Sequence, residues 1–204
     1  FAHKDGQVDI AMLAINPKIL DENDIDWGFI DEECVAYPED FENIGIALGD
    51  SVYLAGFPMG LSGLKKNYAI VRSGVLARVD EEIIASEKAM LIDATVFPGN
   101  SGGPVFLRPE QLFLNESKAV QKAYLLGVVS GYRYYKEPLY SHQSNPPTVA
   151  AISIENSGLA SIVPMNFAKD IFKDFLGTKN KLEKEIKGDD KKIGDQANSS
   201  VANT

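Results

Sequence analysis

The chain is poor in several residue types, and each scarcity excludes something. Its one cysteine, Cys34, rules out an internal disulfide framework and says nothing about the redox compartment. Lying among acidic residues, that thiol reads as inert rather than reactive. Histidine occurs twice, as His3 and His142, so any imidazole chemistry has few sources. Lysine and arginine are absent between Ile19 and Leu64, while eleven aspartates and glutamates fall between Asp21 and Asp50. The net charge of -9 argues against a nucleic-acid partner, which calls for a basic face. No run reaches the roughly 18 consecutive apolar residues of a membrane span. No signal peptide is visible, but the chain opens at Phe1 rather than methionine, so the natural protein is expected to continue upstream. Its compartment stays unassigned, with a secreted or periplasmic setting left open.

What is present is a globular composition, 45% hydrophobic over 204 residues, enough for a core of good size. Residues 1–18 hold one strand-like run, DIAMLAI from Asp9 to Ile15. Residues 19–49 read as an acidic linker. Residues 50–177 contain six short β-type segments: SVYLAGF, AIVRSGVLARV, AMLIDA, GPVFL, AYLLGVVSGY and GLASIVP. Turn residues separate them, the pattern of an all-β barrel or sandwich. A helix is expected after them: Asn166 suits an N-cap, Phe167, Ile171 and Phe175 recur at helical spacing, and Gly177 can end it. Residues 178–204 have almost nothing to bury and read as a disordered polar tail. Within the acidic linker, Glu22, Asp24, Asp26 and Glu33 have roughly the offsets of a calcium loop, but Trp27 stands where its sharp turn needs glycine. A solvated linker is the expectation, and neither a metal nor a cofactor is implied.

The most demanding stretch is FPGNSGGPVF, Phe97 to Phe106, with three glycines and two prolines around one serine. Each glycine gives up backbone entropy on folding, and the prolines donate no hydrogen bond. Such a loop is either a tight structural turn or a place where N–H groups must point at something. A serine hydroxyl is a weak nucleophile that needs a base, an orienting acid and a site for the oxyanion. Without a side chain at Gly99, the N–H groups of Gly99 and Ser101 can converge on one point. Gly102 and Gly103 leave room for a substrate backbone, and Pro104 starts the next strand.

GNSGGP resembles the nucleophile motif of the chymotrypsin-fold, trypsin-like serine proteases, and three further segments agree in order. Asp9 in VDIAML resembles the orienting aspartate of that family. LLGVVSGY resembles the strand that pairs with substrate, which implies substrate-binding roles for Ser130, Gly131 and Tyr132. GLASIVPMNFAKDIF resembles the last strand and C-terminal helix. The combination is closest to the HtrA-like bacterial branch and covers roughly residues 8–176. The resemblance implies a double β-barrel with the second, six-stranded barrel complete, only the last strand of the first barrel present, and a C-terminal helix. It implies a serine endopeptidase acting on polypeptide through an acyl-enzyme, with Ser101 as nucleophile, Asp9 orienting a histidine, and Gly99 and Ser101 forming the oxyanion hole. It places Thr95, six residues before the nucleophile, at the base of the primary specificity pocket, where a neutral residue disfavours a cationic substrate side chain.

The chain departs from that pattern at the base. The family's histidine lies several strands upstream of the aspartate, whereas His3 is six residues from Asp9 and His142 sits in a polar loop after the serine. The base is therefore expected upstream of Phe1. Asn100 stands where trypsin has an aspartate that pairs with a new N-terminus, so activation by that ion pair is not expected. The segment Arg108–Ala123 is longer than its counterpart in compact members, and the insertions at 108–123 and 133–150 have no assigned role. Two rivals follow. Gly99–Gly103 also satisfies the G-x-S-x-G elbow of an α/β-hydrolase esterase, but Gly-Gly-Pro cannot begin the helix that elbow needs. The other rival is a non-catalytic trypsin-like domain that binds peptides or proteins. Oligomeric state is not legible.

Overall fold

The computed structural model describes residues 1–63, 65–109, 122–141, 143, 146 and 148–180. Six antiparallel strands close into a barrel: β1 (Ser51–Gly56), β2 (Ile70–Arg78), β3 (Met90–Asp93), β4 (Pro104–Leu107), β5 (Leu125–Ser141) and β6 (Thr148–Pro164), in the order β1-β2-β3-β6-β5-β4. The six β-type segments of the sequence are these six strands. Alternation explains their inward faces: in β1, Val52 and Leu54 are buried while Tyr53 points out under the Arg108 guanidinium. Val52, Leu54, Leu76, Ile92, Val105 and Leu107 fill the interior together with Leu126, Val129 and Ile162. The ring closes where Val52, Tyr53 and Leu54 of β1 pair with Leu107, Phe106 and Val105 of β4. Gly74 is required in β2 because a Cβ there would enter the Asp93 carbonyl across the β2–β3 pair.

Among the described residues four α-helices decorate the barrel. α1 (Pro17–Glu22) and α2 (Phe41–Ile44) belong to the acidic region, and α3 (Glu81–Glu87) bridges β2 and β3. The acidic region is not uniformly solvated. Residues 9–33 are largely exposed, but Ala36, Phe41 and Ile46 join the barrel core, and the Ala36 N–H donates to the Leu125 carbonyl at 3.0 Å. Helix α3, absent from the sequence reading, has Asp80 as its N-cap, whose Oδ1 accepts from the Ile83 N–H at 2.8 Å. The last helix, α4, covers residues 165–180, so two expectations need correction. Asn166 lies inside the helix rather than capping it, and the helix runs through Gly177 into residues 178–180, where the sequence predicts the tail. The cost of a helical glycine, about 1 kcal/mol, does not outweigh continuation of the turn, where the Thr178 hydroxyl donates to the Asp174 carbonyl at 3.0 Å. The rest of the polar tail lies outside the described residues.

The run Asp9–Ile15 does not form a strand of any length. It makes one isolated bridge, Ala2 to Ala11, flanked by reciprocal hydrogen bonds of 2.7 Å between Phe1 and Met12. The resulting N-terminal loop rests on α4: the Phe1 and Phe175 rings are 4.8 Å apart, His3 meets Phe167 edge-on, and Lys4 pairs with Asp174 at 2.8 Å. A strand needs a partner along its length, and residues 1–2 supply one only at its middle.

Candidate active site

The serine loop connects β3 to β4, and nearly all its polar backbone is consumed in holding its shape. The Phe97 N–H donates to Asn100 Oδ1 and the Asn100 N–H returns to the Phe97 carbonyl, both at 3.0 Å. The turn after β1 grips the loop from one side: the Phe57 N–H donates to the Gly99 carbonyl at 3.1 Å and the Met59 N–H to the Pro98 carbonyl at 2.6 Å. Strand β5 grips it from the other, with the Gly102 N–H on the Val129 carbonyl at 2.7 Å and the Val129 N–H on the Gly103 carbonyl at 2.9 Å. The Gly103 N–H closes back on the Asn100 carbonyl at 2.9 Å.

Two N–H groups are left over. Pro98 has none, those of residues 97, 100, 102 and 103 are used, and the N–H groups of Gly99 and Ser101 donate to no described residue. Gly99 has φ +96° and packs so tightly on Phe57 that a Cβ would enter the Phe57 carbonyl. Gly103 is equally confined, against the Ala55 carbonyl. Asn100 is fully buried, and its Nδ2 has no partner.

The Ser101 side chain is exposed, and its hydroxyl donates to the Ser130 carbonyl on β5 at 3.4 Å. Ser101 and Asp9 line one cavity of about 670 Å³, walled by Val8, Ile10, Val129 and Met165. A second hollow of about 370 Å³ is lined by Ser101 together with Ala55, Gly56, Gly99 and Gly103. The other sequence-predicted residues fall in different places. Ser130, Gly131 and Tyr132 lie along β5 beside the serine, where Ser130 Oγ donates to the Ser161 carbonyl at 3.2 Å. Thr95 is exposed and lines neither cavity. His3 is engaged elsewhere: its Nδ1 accepts from the Asp5 N–H at 3.1 Å and its ring packs on Phe167. His142 lies outside the described residues. Among the described residues no group of three or more histidine, cysteine, aspartate or glutamate side chains is placed to hold a metal ion.

The loop therefore joins two strands and presents Ser101 beside two uncommitted N–H groups. The family model of the trypsin-like peptidase domain matches residues 1–113, more than half of the chain and inclusive of Asp9 and Ser101. The chain belongs to the trypsin-like peptidase family. No match was found among curated proteins or solved structures. Membership makes polypeptide the implied substrate of this peptidase domain, and no described helix is long and apolar enough to cross a membrane.

Sequence reasoning missed one residue that bears on the peptidase loop. Asn156 of β6 donates from Nδ2 to the Val96 carbonyl, at the start of the loop, at 2.8 Å. No local pattern could have paired residues so far apart.

Proposed function

We propose that this domain is a serine endopeptidase, close to the HtrA-like branch, with Ser101 as nucleophile. The observation that carries the reading is the hydrogen-bond account of the serine loop, which leaves only the Gly99 and Ser101 N–H groups uncommitted. Ser101 Oγ attacks the substrate carbonyl while its proton passes to an imidazole. The carbonyl oxygen becomes an oxyanion held by the two N–H groups. Collapse breaks the C–N bond, the imidazole protonates the departing amine, and water then cleaves the acyl ester by the same steps in reverse. Asp9 orients the imidazole from across the shared cavity, which has room for the ring between acid and nucleophile. Because His3 is committed to Asp5 and Phe167, the imidazole enters this cavity from outside the described residues. Ser130, Gly131 and Tyr132 pair with the substrate backbone.

The absence of an imidazole among the described residues lining the cavity favours one second reading, a trypsin-like domain that binds polypeptide without cleaving it. One experiment separates them. The full-length protein is treated with a fluorophosphonate probe. Covalent labelling that Ser101→Ala abolishes supports the endopeptidase. Labelling that survives Ser101→Ala, or none in the full-length protein, overturns it.

A further inference from the structure

Strands β5 and β6 are far longer than the barrel uses. β5 pairs with β4 only through Leu125–Val128, and β6 pairs with β3 only through Leu159–Ile162. From Tyr134 to Ser141 and from Thr148 to Asn156 they pair with each other and, among the described residues, with no other strand, an arm about 27 Å long at ~3.4 Å per residue. The arm lies beyond the residues matched by the family model.

Its two faces differ. Alternation and register put Tyr134, Lys136, Pro138 and Tyr140 on one face, opposite Asn156, Ile154, Ile152 and Val149. Both carboxylates of the paired strands, Glu137 and Glu155, fall on the reverse, together with Tyr135 and Leu139. On the first face, where Lys136 is the one charged residue, Tyr134 is 58% exposed, Ile152 60% and Ile154 62%. A patch of this kind on a single arm marks a site that something covers.

The continuity of β5 identifies the occupant. The strand begins its free course at Ser130, whose carbonyl already touches Ser101 Oγ, and beyond Val129 its outer edge has no strand partner among the described residues. Every strand pair in the barrel is antiparallel. A chain added antiparallel to this edge at Ser130 therefore runs its N-terminal part along the arm toward Ser141. We propose that the β5–β6 arm is a docking strand for extended, unfolded polypeptide. It takes the segment N-terminal to the bond presented to Ser101 and selects aromatic or branched aliphatic side chains about five to ten residues upstream. The inference rests on the endopeptidase reading for its orientation, but docking itself needs no chemistry.

The test uses full-length protein carrying Ser101→Ala and fluorescence anisotropy of labelled peptides. One peptide of about fourteen residues has alternating valine and tyrosine in its N-terminal half. A second has the same sequence with alternate backbone nitrogens of that half methylated, which removes the edge hydrogen bonds. The methylated peptide is expected to bind at least about tenfold more weakly. Ile152→Ser with Ile154→Ser is expected to weaken the first peptide at least about fivefold with an unchanged far-ultraviolet circular dichroism spectrum. Should that variant misfold, Tyr134→Ser serves in its place, and the methylation comparison stands without any variant. Equal binding of the two peptides, or binding indifferent to the face substitutions, overturns the proposal. So does a dimer in sedimentation that Ile152→Ser and Ile154→Ser dissolve, because the face then belongs to a second copy. Failure of fluorophosphonate labelling with docking intact removes the endopeptidase reading alone, and the converse removes the docking strand alone.

Discussion

The side-chain amide of Asn156 reaches the main-chain carbonyl of Val96 at 2.8 Å across 60 residues of sequence. Its own Oδ1 accepts from the Gly158 N–H at 2.9 Å, and the Gly158 carbonyl in turn accepts from the Ala94 N–H at 2.9 Å. The root of the arm thus clamps the segment leading into the serine loop. Arg133, at the same root, forms an ion pair with Glu87 at the end of α3.

Removing that clamp should affect both stability and the serine loop. Asn156→Ala leaves the buried Val96 carbonyl without its donor, at about 1–3 kcal/mol. The expected result is a melting temperature lower by several degrees and slower fluorophosphonate labelling of Ser101. A variant that melts and labels like the parent would show that the contact is incidental.

Two glycines of the serine loop should respond differently to the same change. Gly99→Ala drives a methyl group into the Phe57 carbonyl at φ +96°, so labelling should be lost. At Gly102, φ is +79° but nothing lies within 4 Å of the added carbon, leaving only left-handed strain of about 1–2 kcal/mol. Gly102→Ala should therefore retain measurable labelling. Comparable labelling of both variants would contradict the packing argument.

Asn100 offers a pH-dependent test. Asn100→Asp keeps the acceptor for the Phe97 N–H but places a carboxylate at a fully buried position. Desolvation raises its folded pKa above the unfolded value of about 3.9. The penalty is then absent below that value and grows as pH rises through and beyond it. The variant should lie close to the parent in thermal stability at pH 4 and well below it at pH 7. A difference independent of pH would mean that the substitution acts through packing instead.

The cap of α3 titrates with the opposite sign. Asp80 is held below the usual carboxylate range, first by its hydrogen bond from Arg78 and then by the Ile83 N–H. A depressed folded pKa contributes stability above the unfolded value, lost as pH falls through the folded one. Nuclear magnetic resonance titration should find Asp80 ionised below pH 3.9, and Asp80→Asn should narrow the stability gap between pH 5 and pH 2. An unshifted titration would remove the capping role.

The sequence by itself determined the barrel strands and the character of the serine loop. Alternation along segments such as SVYLAG is a two-residue pattern, and the need for glycine around Ser101 is a matter of local φ and of steric room. Both are short-range properties that any stretch of chain carries with it. Tertiary structure decided the rest. DIAMLAI reads as a strand but meets a partner only at Ala2, so it lies as a loop on α4 and brings Asp9 to the Ser101 cavity. Which loop N–H groups stay uncommitted depends on the grip of Phe57, Met59 and Val129, all distant in sequence. The arm was invisible for another reason: residues 134–141 and 148–156 form strands through their register with each other, over turn-like residues such as Pro138 and Asn156. Each strand is held by its neighbour, not by the propensity of its own segment.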